Sequence, residues 1–138
     1  MSTEETLAKV PLFRDLPHKS LERIAKFARP RSFRSGDVIF KEGEEGVGFF
    51  AISKGKVEVT RGGHAIATTG AGGFFGEMAL LDNHRRSATV KASEDTECLA
   101  IMRSDFLAEL RGNADLAVEM LGIMSARIRD LDEKLSHT

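Results

Sequence analysis

The chain has 138 residues, which is enough for one domain with a single hydrophobic core and too few for two of full size. Its 20 basic and 21 acidic residues give a net charge of -1, which excludes binding to nucleic acid or an anionic membrane through bulk charge. A hydrophobic fraction of 41% excludes a disordered chain, and the lack of Trp and Tyr removes the usual platforms for stacking on exposed bases.

The sequence carries no sign of export or of membrane insertion. Its one cysteine, Cys98, has no partner for an internal disulfide. No apolar run approaches the roughly 20 residues that cross a bilayer, and the acidic start is unlike a secretory signal. We therefore expect a cytoplasmic protein without a membrane segment.

The first 28 residues have a helical pattern. Thr3 is a candidate cap for a short helical turn that runs as far as Lys9. After Pro17, apolar residues follow a period of 3.6, namely Leu21, Ile24, Ala25 and Phe27. Pro30 is expected to end this helical stretch.

The middle of the chain is rich in β-branched and aromatic residues, interrupted by turns that contain glycine. These runs predict strands at Phe33 and over residues 38–40, 47–52, 57–60, 66–68, 88–92 and 98–102. No helical pattern separates them, so an antiparallel sandwich or barrel is favoured over a βαβ sheet.

The C-terminal part again has a helical pattern. Ser104 is a candidate N-cap for a short helix that ends at Leu110, with Gly112 as its C-terminal glycine. A second helix begins near Asn113, and its apolar residues repeat as a heptad at Ala114, Ala117, Leu121, Met124, Ile128, Leu131 and Leu135. This seam either packs on the domain's own strands or pairs with a second copy. Its length of about three heptads favours pairing.

Residues 70–90 have the composition of an anion site. Their glycines let the backbone approach a ligand, and amides at the first turn of a short helix over Glu77–Leu80 would point toward an anion. Arg85 and Arg86 would add charge-assisted hydrogen bonds, and Ser87 a hydroxyl or its backbone amide. The segment therefore predicts a socket of the size of a phosphate.

Glu77 gives this socket a second property. Its carboxylate would repel a bare phosphate, so it indicates a ligand that also offers a hydroxyl, such as a ribose 2′-OH. A sugar and a phosphate on one small ligand indicate a nucleotide. Taken alone, Glu77 and Arg86 are equally compatible with a surface ion pair across a hairpin.

The segment resembles the phosphate-binding cassette of the cyclic nucleotide-binding domain family. That family occurs in catabolite-activator-type transcription factors, cyclic-nucleotide-dependent kinases and cyclic-nucleotide-gated channels. The matching runs are Phe75-Gly76-Glu77-Met78-Ala79-Leu80 and Arg86-Ser87-Ala88-Thr89-Val90, at the family's usual separation. Val10-Pro11-Leu12-Phe13 and residues 35–43 also look like the family's opening helix and first hairpin. The resemblance covers about residues 10–135 and implies an α+β fold with an antiparallel, eight-stranded, jelly-roll-like β-roll, N-terminal helices and a C-terminal helical pair.

The resemblance also implies roles for single residues. Glu77 would bind the ribose 2′-hydroxyl, and Arg86 the exocyclic oxygens of the cyclic phosphate. The expected ligand-binding residues are Phe75, Gly76, Glu77, Met78, Ala79, Arg86, Ser87 and Ala88. In place of the family's usual proline before the phosphate arginine stands Arg85, which leaves the loop less stiff but adds a cation, and His84 is a further possible cation.

The side of the site that reads the base is expected to involve the last helix. In the family this helix usually covers the nucleobase, so Arg127, Leu131 and Asp132 are the candidate lid residues. Ser87 does not decide between cAMP and cGMP. Because bacterial members of the family mostly respond to cAMP, we expect cAMP rather than cGMP.

We expect a single cyclic nucleotide-binding domain over residues 1–138. Its parts would be N-terminal helices over 1–30, a β-roll over 31–103 with the cassette over 74–90, and hinge or lid helices over 104–138. No nucleophile with an adjacent base, no paired carboxylates and no metal-ligand set stand out, so neither catalysis nor a metal nor a cofactor beyond the ligand is expected.

The expected function is that of a sensor. Ligand binding would move a hinge near Gly112 and Asn113, and so couple the site to a partner or effector protein. A homodimer through the last helix is expected, and direct contact with nucleic acid is not, because no DNA-reading helix follows the seam. The alternative is a dimerising interaction module that binds no nucleotide and keeps the β-roll as a scaffold.

Overall fold

A computed structural model describes residues 2–82 and 85–136, without the side chains of Glu77, Met78 and Ser136. The chain begins with the helices α1 (Thr3–Leu7), α2 (Pro11–Arg14) and α3 (His18–Ala25). The strands are β1 (Arg29–Phe33), β2 (Val38–Phe40), β3 (Gly48–Lys54), β4 (Lys56–Arg61), β5 (His64–Gly70), β6 (Phe74–Phe75), β7 (Thr89–Ala92) and β8 (Thr96–Met102). A 3-10 helix (Glu77–Leu80) follows β6, and α4 (Arg103–Gly112) and α5 (Ala114–Ser136) follow β8.

The strands form two antiparallel sheets of four strands each, in the orders β1-β8-β3-β6 and β2-β7-β4-β5. Each sheet takes strands from both halves of the strand region, so the chain winds back and forth between the two sheets as a β-roll. The predicted α+β fold, with an eight-stranded antiparallel roll between terminal helices, is confirmed.

Strand β3 separates two hydrophobic cores, because its successive side chains point to opposite faces. Phe49 and Ala51 belong to the helix-side core, which also contains the buried residues Leu7, Leu12, Phe13, Ile24, Leu80, Ile101, Phe106 and Leu116. Phe50 and Ile52 belong to the roll core, with Val57, Val90, Cys98 and Ala100. Phe33, Ile39, Phe40, Val59 and Phe75 pack partly buried against the roll core.

Cys98 is an ordinary member of the roll core. Its side chain is buried, and burial raises the pKa of the thiol to about 11, although Arg31 opposes this shift. The thiolate is therefore disfavoured at neutral pH, and thiol chemistry has no support here.

The structure corrects several details at the N-terminal end. Ser2 caps α1 by accepting a hydrogen bond from the backbone N–H of Glu5, where the sequence predicted Thr3. The helical stretch ends at Ala25, and Pro30 lies inside β1. Proline is tolerated there because β1 is an edge strand, paired only with β8. The short strand β6 had no sequence signal of its own.

The two C-terminal helices meet at a single residue. Ser104 lies inside α4, whose N-cap is Met102, so the predicted Ser104 cap is wrong. Gly112 is the last residue of α4 and has no left-handed φ, so its predicted role as a C-terminal glycine is also wrong. Asn113 ends α4 in an extended conformation, and its side-chain oxygen accepts the Leu116 N–H at 3.2 Å, which caps α5.

Helix α5 contacts the domain mainly through residues outside the predicted seam, of which only Met124 takes part in the contact. Leu116 and Met120 are buried in the helix-side core, and Ile123 and Met124 pack partly against it. The seam residues Leu121, Ile128, Leu131 and Leu135 are 61–73% exposed. These four side chains therefore do not pack on the domain's own strands. No helix in the described ranges is long and apolar enough to span a membrane.

Candidate functional site

A cavity of about 390 Å³ opens where the roll core ends. Cavities that bind small molecules commonly have volumes of this order. Its apolar lining comes from Phe40, Val59, Ile66, Phe74, Phe75, Ala79, Ala88 and Val90. Its other lining residues are Arg61, Gly76, Asp82, Arg85, Arg86 and Ser87.

One wall of the cavity is the turn that follows β6. Gly76 has a φ of +74°, a left-handed conformation that glycine adopts without strain. The chain then enters the 3-10 helix, in which the Ala79 N–H donates to the Gly76 carbonyl at 3.0 Å. Leu80 is fully buried in the helix-side core and anchors the end of this helix. The predicted helical turn over Glu77–Leu80 is confirmed, in 3-10 form.

Arg86 places a buried positive charge at the cavity. It is 8% exposed, its Nη2 donates to the Gly48 carbonyl, and its Cζ lies 4.1 Å from the centre of the Phe40 ring. Burial lowers the pKa of its guanidinium, and the nearby Glu44 carboxylate raises it in part. An arginine remains charged even so.

The Nε atom of Arg86 is buried and has no hydrogen-bond partner within residues 2–82 and 85–136. A buried donor without an acceptor is costly, and more so on a charged group. Arg86 therefore has one hydrogen-bond donor that no described atom satisfies.

The turn between β2 and β3, residues 41–47, holds the main chain of Arg86. The Gly43 N–H donates to the Arg86 carbonyl at 2.9 Å, and the Arg86 N–H donates to the Glu44 carbonyl at 2.7 Å. Arg85 is exposed and also lines the cavity, but its Nη1 donates to the Gly43 carbonyl at 2.9 Å. The structure thus connects Arg85 to the protein backbone, a contact that its predicted role as an anion ligand did not include.

The structure brings most of the predicted site together. The predicted ligand-binding residues that line the cavity are Phe75, Gly76, Ala79, Arg86, Ser87 and Ala88. Glu77 and Met78 lie in the adjoining 3-10 helix, but their side chains are not described, and His84 lies outside the described residues. Within the described chain, the lining includes no residue of α5, so the lid formed by Arg127, Leu131 and Asp132 stays a prediction.

The sequence alone did not identify every lining residue. Arg61, whose Nε donates to the Ser87 carbonyl at 3.0 Å, is not among the predicted site residues. Phe40, Val59 and Ile66 had been noted only as strand residues. Their alternation along the strands was the available signal, because it places every second side chain inside the roll.

The fold is that of a β-roll domain, and a cavity of this size beside a buried guanidinium has the dimensions and the charge for a small anionic ligand. Among the residues described, no group of three or more His, Cys, Asp or Glu residues is placed to hold a metal. The model of the family described as "Cyclic nucleotide-binding domain" matches residues 30–113. The chain belongs to this family, as its cassette indicated.

Similar proteins include regulators of several kinds. The chain is 35% identical over 130 residues to the "Cyclic AMP receptor protein" of Thermus thermophilus, covering 91% of this chain and 60% of the relative. It is 38% identical over 135 residues to the mouse "cGMP-dependent protein kinase 2", covering 93% of this chain and 18% of the relative. It therefore spans less than two thirds of either protein.

A solved structure with a similar fold is the "N-terminal domain of a transcriptional regulator" from Streptomyces coelicolor A3(2). The TM-score is 0.84 at 25% identity, and the match covers 93% of this chain and 95% of that one. This neighbour is itself a domain of a larger regulator.

Proposed function

We propose that this chain is a sensor domain that binds a cyclic nucleotide, cAMP rather than cGMP, in the cavity next to Arg86. The observation that carries the proposal is the buried guanidinium, whose Nε has no partner among the residues described. An exocyclic phosphate oxygen would supply the missing acceptor. Such charge-assisted hydrogen bonds are about twice as strong as neutral ones.

The proposed ligand pose follows from the cassette. Arg86 binds the exocyclic phosphate oxygens, and Glu77 binds the ribose 2′-hydroxyl. The backbone amides of Gly76, Met78, Ala79 and Ser87 lie around the phosphate ring, and the Ala79 N–H would exchange its bond to the Gly76 carbonyl for one to the ligand. The apolar walls of the cavity, together with Phe75 and Ala88, support this pose by offering a surface for the sugar and the base.

The preference for cAMP over cGMP comes from the family. One of the two relatives is named for cAMP and the other for cGMP, at similar identity. The preference rests on bacterial members of the family mostly responding to cAMP, and a direct comparison of the two nucleotides decides it.

We also propose that ligand binding is passed to α5. The 3-10 helix of the cassette contacts both β3 and α4. Leu80 of this helix, Phe106 of α4 and Leu116 of α5 are buried in the same helix-side core. Closure of the cassette on a ligand would therefore shift α4, and only Asn113 separates α4 from α5. This contact route supports coupling to a partner or effector protein, or to a second copy paired through α5.

The test is a thermal-shift titration with cAMP, cGMP and 5′-AMP on the wild type, Arg86→Ala and Arg111→Ala. Ligand at about 100 times its Kd stabilises a protein by about 2.7 kcal/mol, which corresponds to about 5 to 15 °C here. Arg111 is exposed on α4 and outside the cavity lining, so it controls for the loss of one positive charge. We expect a shift with cAMP that Arg86→Ala abolishes and Arg111→Ala retains.

No shift with any of the three nucleotides at millimolar concentration would contradict the proposal. The exposed apolar residues of α5 would then favour the interaction module that binds no nucleotide. Coupling to α5 has its own measurement, because it requires that saturating cyclic nucleotide change amide hydrogen exchange over residues 113–135. Unchanged exchange there would leave a binding domain without the proposed coupling.

A further inference from the structure

The turn between β2 and β3 wraps around Arg86 from both sides. Phe40 precedes the turn, and its ring lies 4.1 Å from the guanidinium carbon of Arg86. Gly48 follows the turn and accepts a hydrogen bond from Arg86 Nη2. The turn therefore connects the two strand residues that contact this guanidinium.

The turn itself has a defined geometry. The Glu44 N–H donates to the Lys41 carbonyl at 3.1 Å, which closes a tight turn. Gly43 adopts a φ of +87° in this turn, and a Cβ there would meet nothing within 4 Å. Glycine is therefore favoured at this position by the backbone conformation and not by a lack of space. Within residues 2–82 and 85–136, nothing packs on the side of Gly43 where a side chain would stand.

Hydrogen bonds hold it instead. Two are backbone bonds between Arg86 and the residues Gly43 and Glu44, and they can form with any side chain at the neighbouring position. Arg85 and Glu45 pair as an isolated antiparallel bridge beside them. The bond from Arg85 Nη1 to the Gly43 carbonyl is different, because it depends on the side chain of Arg85.

We propose that Arg85 is a positioning residue for Arg86. Its guanidinium fixes the Gly43 carbonyl, which holds the β2–β3 turn in the conformation that places Phe40 and Gly48 against Arg86. This supplies through a hydrogen bond the local stiffness that a proline would supply through its ring. The effect on ligand affinity rests on the proposed function, whereas the effect on the turn does not.

The first experiment measures affinity for cAMP and cGMP by calorimetric titration of the wild type, Arg85→Ala, Arg85→Lys and Arg111→Ala. We expect Arg85→Ala to weaken binding about tenfold, because only part of the population then presents an ordered Arg86. Lys keeps a charged donor of similar reach, so Arg85→Lys should recover much of the loss. Arg85 is exposed, so the melting temperature without ligand should change little in any variant.

The second experiment needs no ligand. The backbone N–H groups of Gly43 and Arg86 are both hydrogen-bonded across the turn, so their hydrogen exchange in the ligand-free protein reports the order of the turn. We expect exchange at both amides to rise in Arg85→Ala and to stay at the wild-type rate in Arg111→Ala.

The outcomes separate the two proposals. If neither nucleotide binds the wild type, the proposed function fails, and faster exchange in Arg85→Ala still supports the positioning role. If binding weakens in Arg85→Ala while exchange is unchanged, Arg85 acts as a second cation on the ligand, and the positioning role is overturned. Unchanged exchange together with unchanged affinity overturns it as well.

Discussion

The lack of a side chain at Gly76 is essential to the geometry of the site. A Cβ at this position would fall on Nη1 of Arg86 and 3.0 Å from the Gly48 carbonyl oxygen. Arg86, whose Nη2 already donates to that carbonyl, would have to leave its place on the Phe40 ring. The glycine therefore provides the space in which the guanidinium lies, besides the positive φ of the turn.

We predict that Gly76→Ala displaces Arg86 and weakens cyclic nucleotide binding at least about tenfold, the loss expected when a charge-assisted hydrogen bond is broken. Gly62→Ala is the matched control, because Gly62 also has a positive φ, of +58°, but a Cβ there meets nothing within 4 Å. Both variants share a left-handed strain of about 1–2 kcal/mol. Calorimetric titration of the two would contradict the prediction if they bound equally well.

Residue types that act locally could be predicted, and residues that meet only through the fold could not. Arg86, Gly76 and the 3-10 turn lie within one short segment, so their chemistry is visible in sequence order. Phe40 and Arg61 line the same cavity from other strands. No local sequence pattern shows that these residues, far from the cassette in the chain, lie next to it in the fold. The bond of Arg85 to the Gly43 carbonyl likewise depends on the pairing of segments far apart in the chain.

At the scale of elements, most of the strands were predictable, β6 excepted, because alternation of side chains is a local consequence of the pleat. Which face of a helix packs on the domain was harder to predict. The spacing of three and four residues in α5 fits more than one stripe. Burial in the helix-side core, which also contains Phe13 and Phe106, selected the stripe with Leu116 and Met120. Ser104 failed as a cap because the helix begins at Arg103, directly after β8.

The two stripes of α5 give a prediction about stability. Leu116 is fully buried, whereas Leu121 is 67% exposed on the same helix. Leu116→Ala should lower the free energy of unfolding by about 2–5 kcal/mol through lost burial and a cavity. Leu121→Ala should change it by no more than about 0.5 kcal/mol. Chemical denaturation at low protein concentration measures both, and equal costs would contradict the observed helix orientation.

At the scale of the whole molecule, the exposed apolar stripe of α5 is the surface most suited to self-association. It comprises Val118, Leu121, Ile128, Leu131 and Leu135. Large apolar side chains that recur along one exposed helix face are typical of a surface that pairs with another helix. The stripe leads away from the helix-side core, so a second copy could reach it without disturbing the domain.

We predict that the chain associates in a concentration-dependent way and that Ile128→Glu weakens this association, because it places a charge in the apolar contact. Ala126→Glu introduces the same charge on the same helix, at an exposed position on another face, and should leave association unchanged. Sedimentation velocity over a range of concentrations measures the effect. A wild type that stays monomeric throughout would contradict it.

The single residue between α4 and α5 has a mechanical consequence. Helix α5 has 23 residues, so at about 1.5 Å per residue it extends about 34 Å from Asn113, which is the pivot of the coupling proposed above. A rotation of only about 10° at that pivot would carry the far end of the rod through about 6 Å, close to one helical turn. A small rearrangement at the cavity would thus reach the tip of α5 as a displacement large enough to change which residues a partner helix meets.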